Sequence, residues 1–113
     1  MKNILPFFFF FLFLLHALGK DDLTVHPIPD EERERLDLDP FYQKRVVVGG
    51  FSIVGSKKVS DYALSEAGYI IRQMMGDRDE LLAKMDAGKT RLAIMASDEY
   101  TTDVPEHSHL YPS

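Results

Sequence analysis

Four side chains near the end of the sequence, Asp103, Glu106, His107 and His109, form its one cluster with metal-ligand chemistry. Imidazoles two residues apart both reach a metal from an extended segment, and carboxylates complete such a shell. The spacing matches no established zinc motif. A metal site also needs hydrogen bonds that hold its ligands, which a short polar loop does not supply. A solvated loop accounts for the cluster more simply, so no metal, cofactor or catalytic residue is expected.

Other combinations carry less. Gly49-Gly50 with Gly55-Ser56 lacks the Gly-Lys-Ser/Thr ending of a phosphate loop and leads from one strand into another. Ser60, Asp61 and the histidines are not adjacent enough in sequence to define a nucleophile with its base, and Ser60 reads as a helix cap. Met74, Met75 and Met85 at helical spacing read as core filler. The His-Glu-x-x-His helix of a zinc hydrolase does not occur.

The elements that would position these residues follow from the pattern of apolar and turn-forming types. Val46 to Val54 reads as a hairpin, since β-branched runs flank Gly49-Gly50 and both turn residues need positive φ. Ser60 to Met75 reads as a helix capped by Ser60 and stopped by Gly76, with Ala63, Ala67, Ile70 and Met74 as its apolar stripe, flanked by Leu64, Ile71 and Met75. Asp77 to Ala87 is a second, shorter helix. Asp77 and Glu80 are spaced as a capping box, and Gly88 closes it. Arg91 to Met95 is a third strand, apolar enough to suggest cover on both faces.

The predicted fold class is therefore α/β: a small β-β-α-α-β layer of hairpin, two helices and one further strand, an incomplete domain over residues 40–113. The expected core is Val46, Val48, Ile53, Ala67, Ile70, Ile71, Met74, Leu82, Leu92 and Ile94. Replacing Ile70 with Ala is expected to cost ~2–5 kcal/mol if that position is buried.

Two segments precede this domain. Residues 1–19 carry Lys2, the apolar run Ile4 to Leu15 broken by Pro6, and the small pair Ala17 and Gly19, the signature of a cleaved secretory signal peptide. The apolar stretch is short for a spanning helix, which needs roughly 20 residues. The mature chain is expected to begin at Lys20 and to be secreted. Lys20 to Asp39 is acidic, contains Pro27 and Pro29 and lacks apolar periodicity, so it reads as a disordered linker, with Glu31 and Arg35 as a favourable helical pair at most.

The whole sequence has a net charge of −5, with 13 basic and 18 acidic side chains. Lys2 is the one charge in residues 1–19, so the remainder carries −6. That sign argues against nucleic acid and anionic membrane surfaces as partners. Cysteine is absent. Small exported domains often depend on disulfides because they bury little surface, so apolar packing, a partner or sequence not present here must stabilise this one.

The stretch from Asp39-Pro40-Phe41-Tyr42 to Pro105-Glu106-His107 carries two motifs in order: Val59-Ser60-Asp61-Tyr62-Ala63-Leu64 with Glu66-Ala67, and Arg91-Leu92-Ala93-Ile94-Met95-Ala96 followed by Thr101-Thr102-Asp103-Val104-Pro105-Glu106-His107. Together they resemble the N-terminal part of a family of secreted, zinc metallopeptidase-like proteins of the gluzincin-like kind. The resemblance covers about two thirds of the sequence. It implies a longer protein whose His-Glu-x-x-His helix lies past this loop. That helix is absent here, so no zinc ligand and no general base is carried to any residue. The expectation is a secreted N-terminal subdomain, catalytically silent as given, whose partner is the rest of a longer protein or a second copy of itself. The alternative is a complete small secreted module for binding or interaction.

Overall fold

The computed structural model describes residues 21–110, so the predicted signal peptide lies outside the described residues. In chain order the elements are α1 (Asp30–Arg35), β1 (Lys44–Val48), β2 (Phe51–Gly55), α2 (Asp61–Met75), α3 (Asp79–Ala87) and β3 (Leu92–Ile94), followed by single 3-10 turns at Thr101–Asp103 and Pro105–His107. The expected β-β-α-α-β layout is present, a small α/β fold, with α1 added before it.

The sheet order is β1-β2-β3. β1 and β2 form the antiparallel hairpin, with Val46 opposite Ile53 and Val48 opposite Phe51. Gly49 and Gly50 turn it at φ 53° and 86°, values that a side chain would oppose. β3 lies parallel to β2, Leu92 beside Ile53 and Ile94 beside Gly55. A parallel neighbour requires a crossover, and α2 and α3 provide it.

Side chains alternate between the two faces of the sheet. On one face Val46, Val48, Phe51 and Ile53 pack with Val59, Leu64 and Leu82, and Leu92 and Ile94 join them half-buried. On the other, Val54 packs with Ile28, Leu36, Leu38, Tyr42 and Val104. Ile28, Leu36 and Leu38 come from the segment expected to be a disordered linker. These three residues have no helical or strand period, but α1 and a turn at Asp37, with φ 53°, bring them to one side. Leu36 is fully buried. The segment is a layer of the fold.

Ser60 caps α2, its Oγ accepting from the Ala63 amide at 3.0 Å, and Gly76 ends it at φ 59°. The buried stripe differs from the expected one. Leu64 and Gly68 are buried, with Ile71 and Met75 beside them, whereas Ile70 is 49% and Met74 68% exposed. Gly68 decides the rotation. A Cβ there would lie 3.1 Å from Val46 Cγ1 and 3.4 Å from Val48 Cγ2, so α2 rests on β1 through the residue with no side chain.

α3 begins at Asp79 rather than at an Asp77 box. The Asp77 carbonyl accepts from the Asp79 amide at 2.9 Å, and no side chain caps the start. Its end is not closed by Gly88 alone. Lys89 takes the left-handed conformation at φ 64°, and the Thr90 and Lys89 amides donate back to Met85 and Asp86, both at 2.9 Å. β3 lacks the expected cover on both faces, since Ala93 is exposed on the side away from the helices and Met95 is 46% exposed. No helix among the described residues is long and apolar enough to cross a membrane.

Candidate functional site

The four polar residues singled out near the end are wound apart by the two 3-10 turns. Asp103 accepts from the Tyr100 amide at 2.8 Å, an internal cap of its own turn. Glu106 faces the sheet, accepting from Tyr42 Oη at 2.6 Å and from Arg91 at 2.8 Å. His107 and His109 are exposed. Among the described residues no three His, Cys, Asp or Glu side chains gather closely enough to hold a metal ion.

Tyr42, Arg91 and Glu106 form a closed polar unit, and Arg91 and Glu106 line a cleft of about 410 Å³ with Asp37, Leu38, Asp39, Pro40 and Pro105. Arg91 reaches further, donating to the Leu36 carbonyl at 2.9 Å. Burial drives the Tyr42 hydroxyl above its ordinary range, and the Glu106 carboxylate reinforces the shift. Burial pushes Glu106 up as well, but the bonds from Tyr42 and Arg91 outweigh it and hold the carboxyl below its ordinary value. Both shifts lead away from neutrality, so neither group is poised to exchange protons near pH 7. The unit fastens the terminal turns to the second face of the sheet.

A second cleft, of about 440 Å³, lies between Pro40, Phe41, Gln43, Ser56, Lys57, Lys58 and Glu99. Ser56 Oγ donates to Glu99 at 2.7 Å, and the other Glu99 oxygen accepts from the Ala96 amide at 2.7 Å. No histidine lines this cleft. The serine hydroxyl is held by a carboxylate that is itself tied to a backbone amide. The pair ties the β2–α2 loop to the turn after β3.

The least satisfied part of the molecule is the outer side of β3. The opposite edge is closed. His26 pairs with Arg45 on the outside of β1, their amides and carbonyls exchanging bonds of 3.1 and 2.9 Å. Leu23 fills the space over Gly68, and its carbonyl accepts from Ser65 at 2.7 Å. Asp21 takes two bonds from Arg72, at 2.7 and 3.0 Å, and one from the Gly49 amide at 3.2 Å. The Arg72 bonds lead in holding its carboxyl below the usual range. β3 has β2 as its single strand neighbour among the described residues.

Helical geometry places Ser65 and Arg72 on the side of α2 that faces the leader, and Ala63, Ala67, Ile70 and Met74 on the opposite side, toward β3. Of the stripe predicted for the core, Ala63 and Ala67 pack half-buried against it, while Ile70 and Met74 are exposed. Sequence reasoning missed Tyr42, Arg91, Arg72 and Asp21, because each makes its partner more than 10 residues away and none belongs to a motif. The one legible signal was the apolar excess of α2, with more apolar positions than a single buried stripe uses. Compared with known proteins, the chain matches no family model, no curated protein and no solved structure.

Proposed function

We propose that the protein is a secreted, non-catalytic scaffold, similar to the N-terminal subdomain of the zinc metallopeptidase-like proteins it resembles, and that β3 is the edge on which its sheet is extended. The observation that carries the reading is the pairing of a single-sided parallel strand with the half-exposed stripe of α2 beside it. Parallel strands are ordinarily buried within a sheet and covered on both faces. An edge strand of this type, with Ala93 and Met95 open to water, fits a sheet that continues. In the longer proteins the loop at Pro105-Glu106-His107 would pack against the added zinc helix and shape its cleft, while the residues present here position that loop through Tyr42 and Arg91.

The transcript downstream of Ser113 tests this. A continuing open frame that encodes a His-Glu-x-x-His helix is the expected result. An immediate stop codon in abundant transcript overturns it in favour of a complete small secreted interaction module. That second reading has its own support, since both faces of the sheet between β1 and β2 are covered and no buried side-chain nitrogen or oxygen among the described residues lacks a partner. Secretion has a separate test: N-terminal sequencing of exported material should begin at Lys20, and Met1 retained in a membrane fraction would contradict it.

A further inference from the structure

The reading of β3 as a docking edge leaves open what occupies it in the chain at hand, and the inference drawn here rests on that reading. We propose that two copies of this chain pair antiparallel through their β3 strands, about a two-fold axis near Ala93, to form one six-stranded sheet.

Charge supplies the first argument. β3 is entered through Lys89 and left through Asp98, both exposed. The Lys89 side chain makes no ion pair among the described residues, and Asp98 has one long contact, 3.5 Å from Lys58. Antiparallel pairing about Ala93 brings Lys89 of each copy level with the turn that carries Asp98 of the other. Parallel pairing would set like charges together. A two-fold interface must be complementary to itself, and this edge is. Arg91 and Glu99 are held within their own chain, to Glu106 and to Ser56, which leaves Lys89 and the loosely paired Asp98 to decide direction.

Shape supplies the second. Within Leu92–Ile94 there is no proline, charge or bulge of the kind that guards natural edges. The small Ala93 side chains would meet at the axis. A two-fold axis perpendicular to the sheet keeps both helix layers on the same face. The exposed Ile70 and Met74 of the two copies then border the joined strands from either side, and part of their apolar surface is withdrawn from water. The other edge, closed by His26 against Arg45, offers no competing site.

Sedimentation velocity on the purified protein, over a range of concentrations, tests the proposal. A concentration-dependent dimer is expected. Lys89→Glu and Asp98→Lys, both at exposed positions away from the core, should each weaken it by roughly tenfold or more, and the double substitution should restore it. Ile70→Lys should weaken it without changing the far-ultraviolet circular dichroism. A monomer at all concentrations overturns the dimer, as does a dimer indifferent to the single changes or not rescued by the double one. The fate of the scaffold reading is decided separately by the sequence downstream of Ser113, which the dimer does not require.

Discussion

Leu36→Ala and Ile70→Ala remove apolar carbons from two positions whose sequence surroundings and structural roles are opposed. Leu36 follows an acidic, proline-containing stretch, yet it is fully buried between Ile28, Leu38, Tyr42, Val54 and Val104. Truncating a leucine in such a site removes its transfer free energy and leaves a cavity, about 2–5 kcal/mol in all. Ile70 sits in the middle of an amphipathic helix but is half exposed. Its loss costs at most about 1 kcal/mol of transfer, partly offset by the few tenths that alanine gains over isoleucine in a helix. Urea unfolding followed by circular dichroism, at a concentration where the chain is monomeric, separates the two. With a slope of ~1–2 kcal/mol per molar for a domain of this size, Leu36→Ala should lower the midpoint by about 1–5 M, and Ile70→Ala by less than about 0.5–1 M. The slope itself should be unchanged. An Ile70 effect larger than the Leu36 effect would refute the placement of the leader as a core layer and the rotation assigned to α2.

Two other perturbations follow from the same geometry. Glu106 has a folded-state pKa below its ordinary value, so its contribution is present above about pH 4.5 and is lost as pH falls through the lowered value. Because the side chain is 40% exposed, Glu106→Gln should cost only about 1 kcal/mol at pH 7 and should flatten the acid limb of a stability–pH profile, with an unchanged limb counting against the clamp. Gly68→Ala gains about 1 kcal/mol of helix propensity but forces its methyl against Leu23 and Val46, a repacking cost of about 1–3 kcal/mol. Leu23 is the neighbour free to move, so amide exchange at His26 and Arg45 should quicken; protection equal to that of the unsubstituted protein would show that the leader does not depend on the Gly68 contact.

The hairpin was legible because Gly49-Gly50 permits a turn that few other dipeptides do, and the start of α2 because Ser60 is a strong cap followed by a regular apolar pattern. β3 was legible as a strand, though not as an edge, since an apolar run says nothing about neighbours supplied from far along the chain. The leader escaped because Ile28, Leu36 and Leu38 reach one face only after a six-residue helix and a left-handed Asp37, a geometry with no period to detect. The face of α2 was misassigned because two apolar stripes were present and Gly68, which marks the closer approach, carries no hydrophobicity. The inward bonding of Glu106 was not legible for a related reason. Two 3-10 turns direct Glu106 inward to Tyr42 and Arg91 while leaving His107 and His109 outside, and residue types alone do not distinguish a gathered set from a dispersed one.

Zinc titration calorimetry on the purified protein tests most directly the claim that this chain is a non-catalytic scaffold. The histidines beyond residues 1–19 are His26, whose backbone pairs with β1, and the exposed His107 and His109. Drawing Glu106 into a site with them would require breaking its bonds to Tyr42 and Arg91 and reordering the turns, at ~1–2 kcal/mol of backbone entropy per residue. The account predicts no stoichiometric binding and no peptide hydrolysis on adding zinc. A one-to-one site of submicromolar affinity, lost on changing His107 and His109 to Ala, would contradict it.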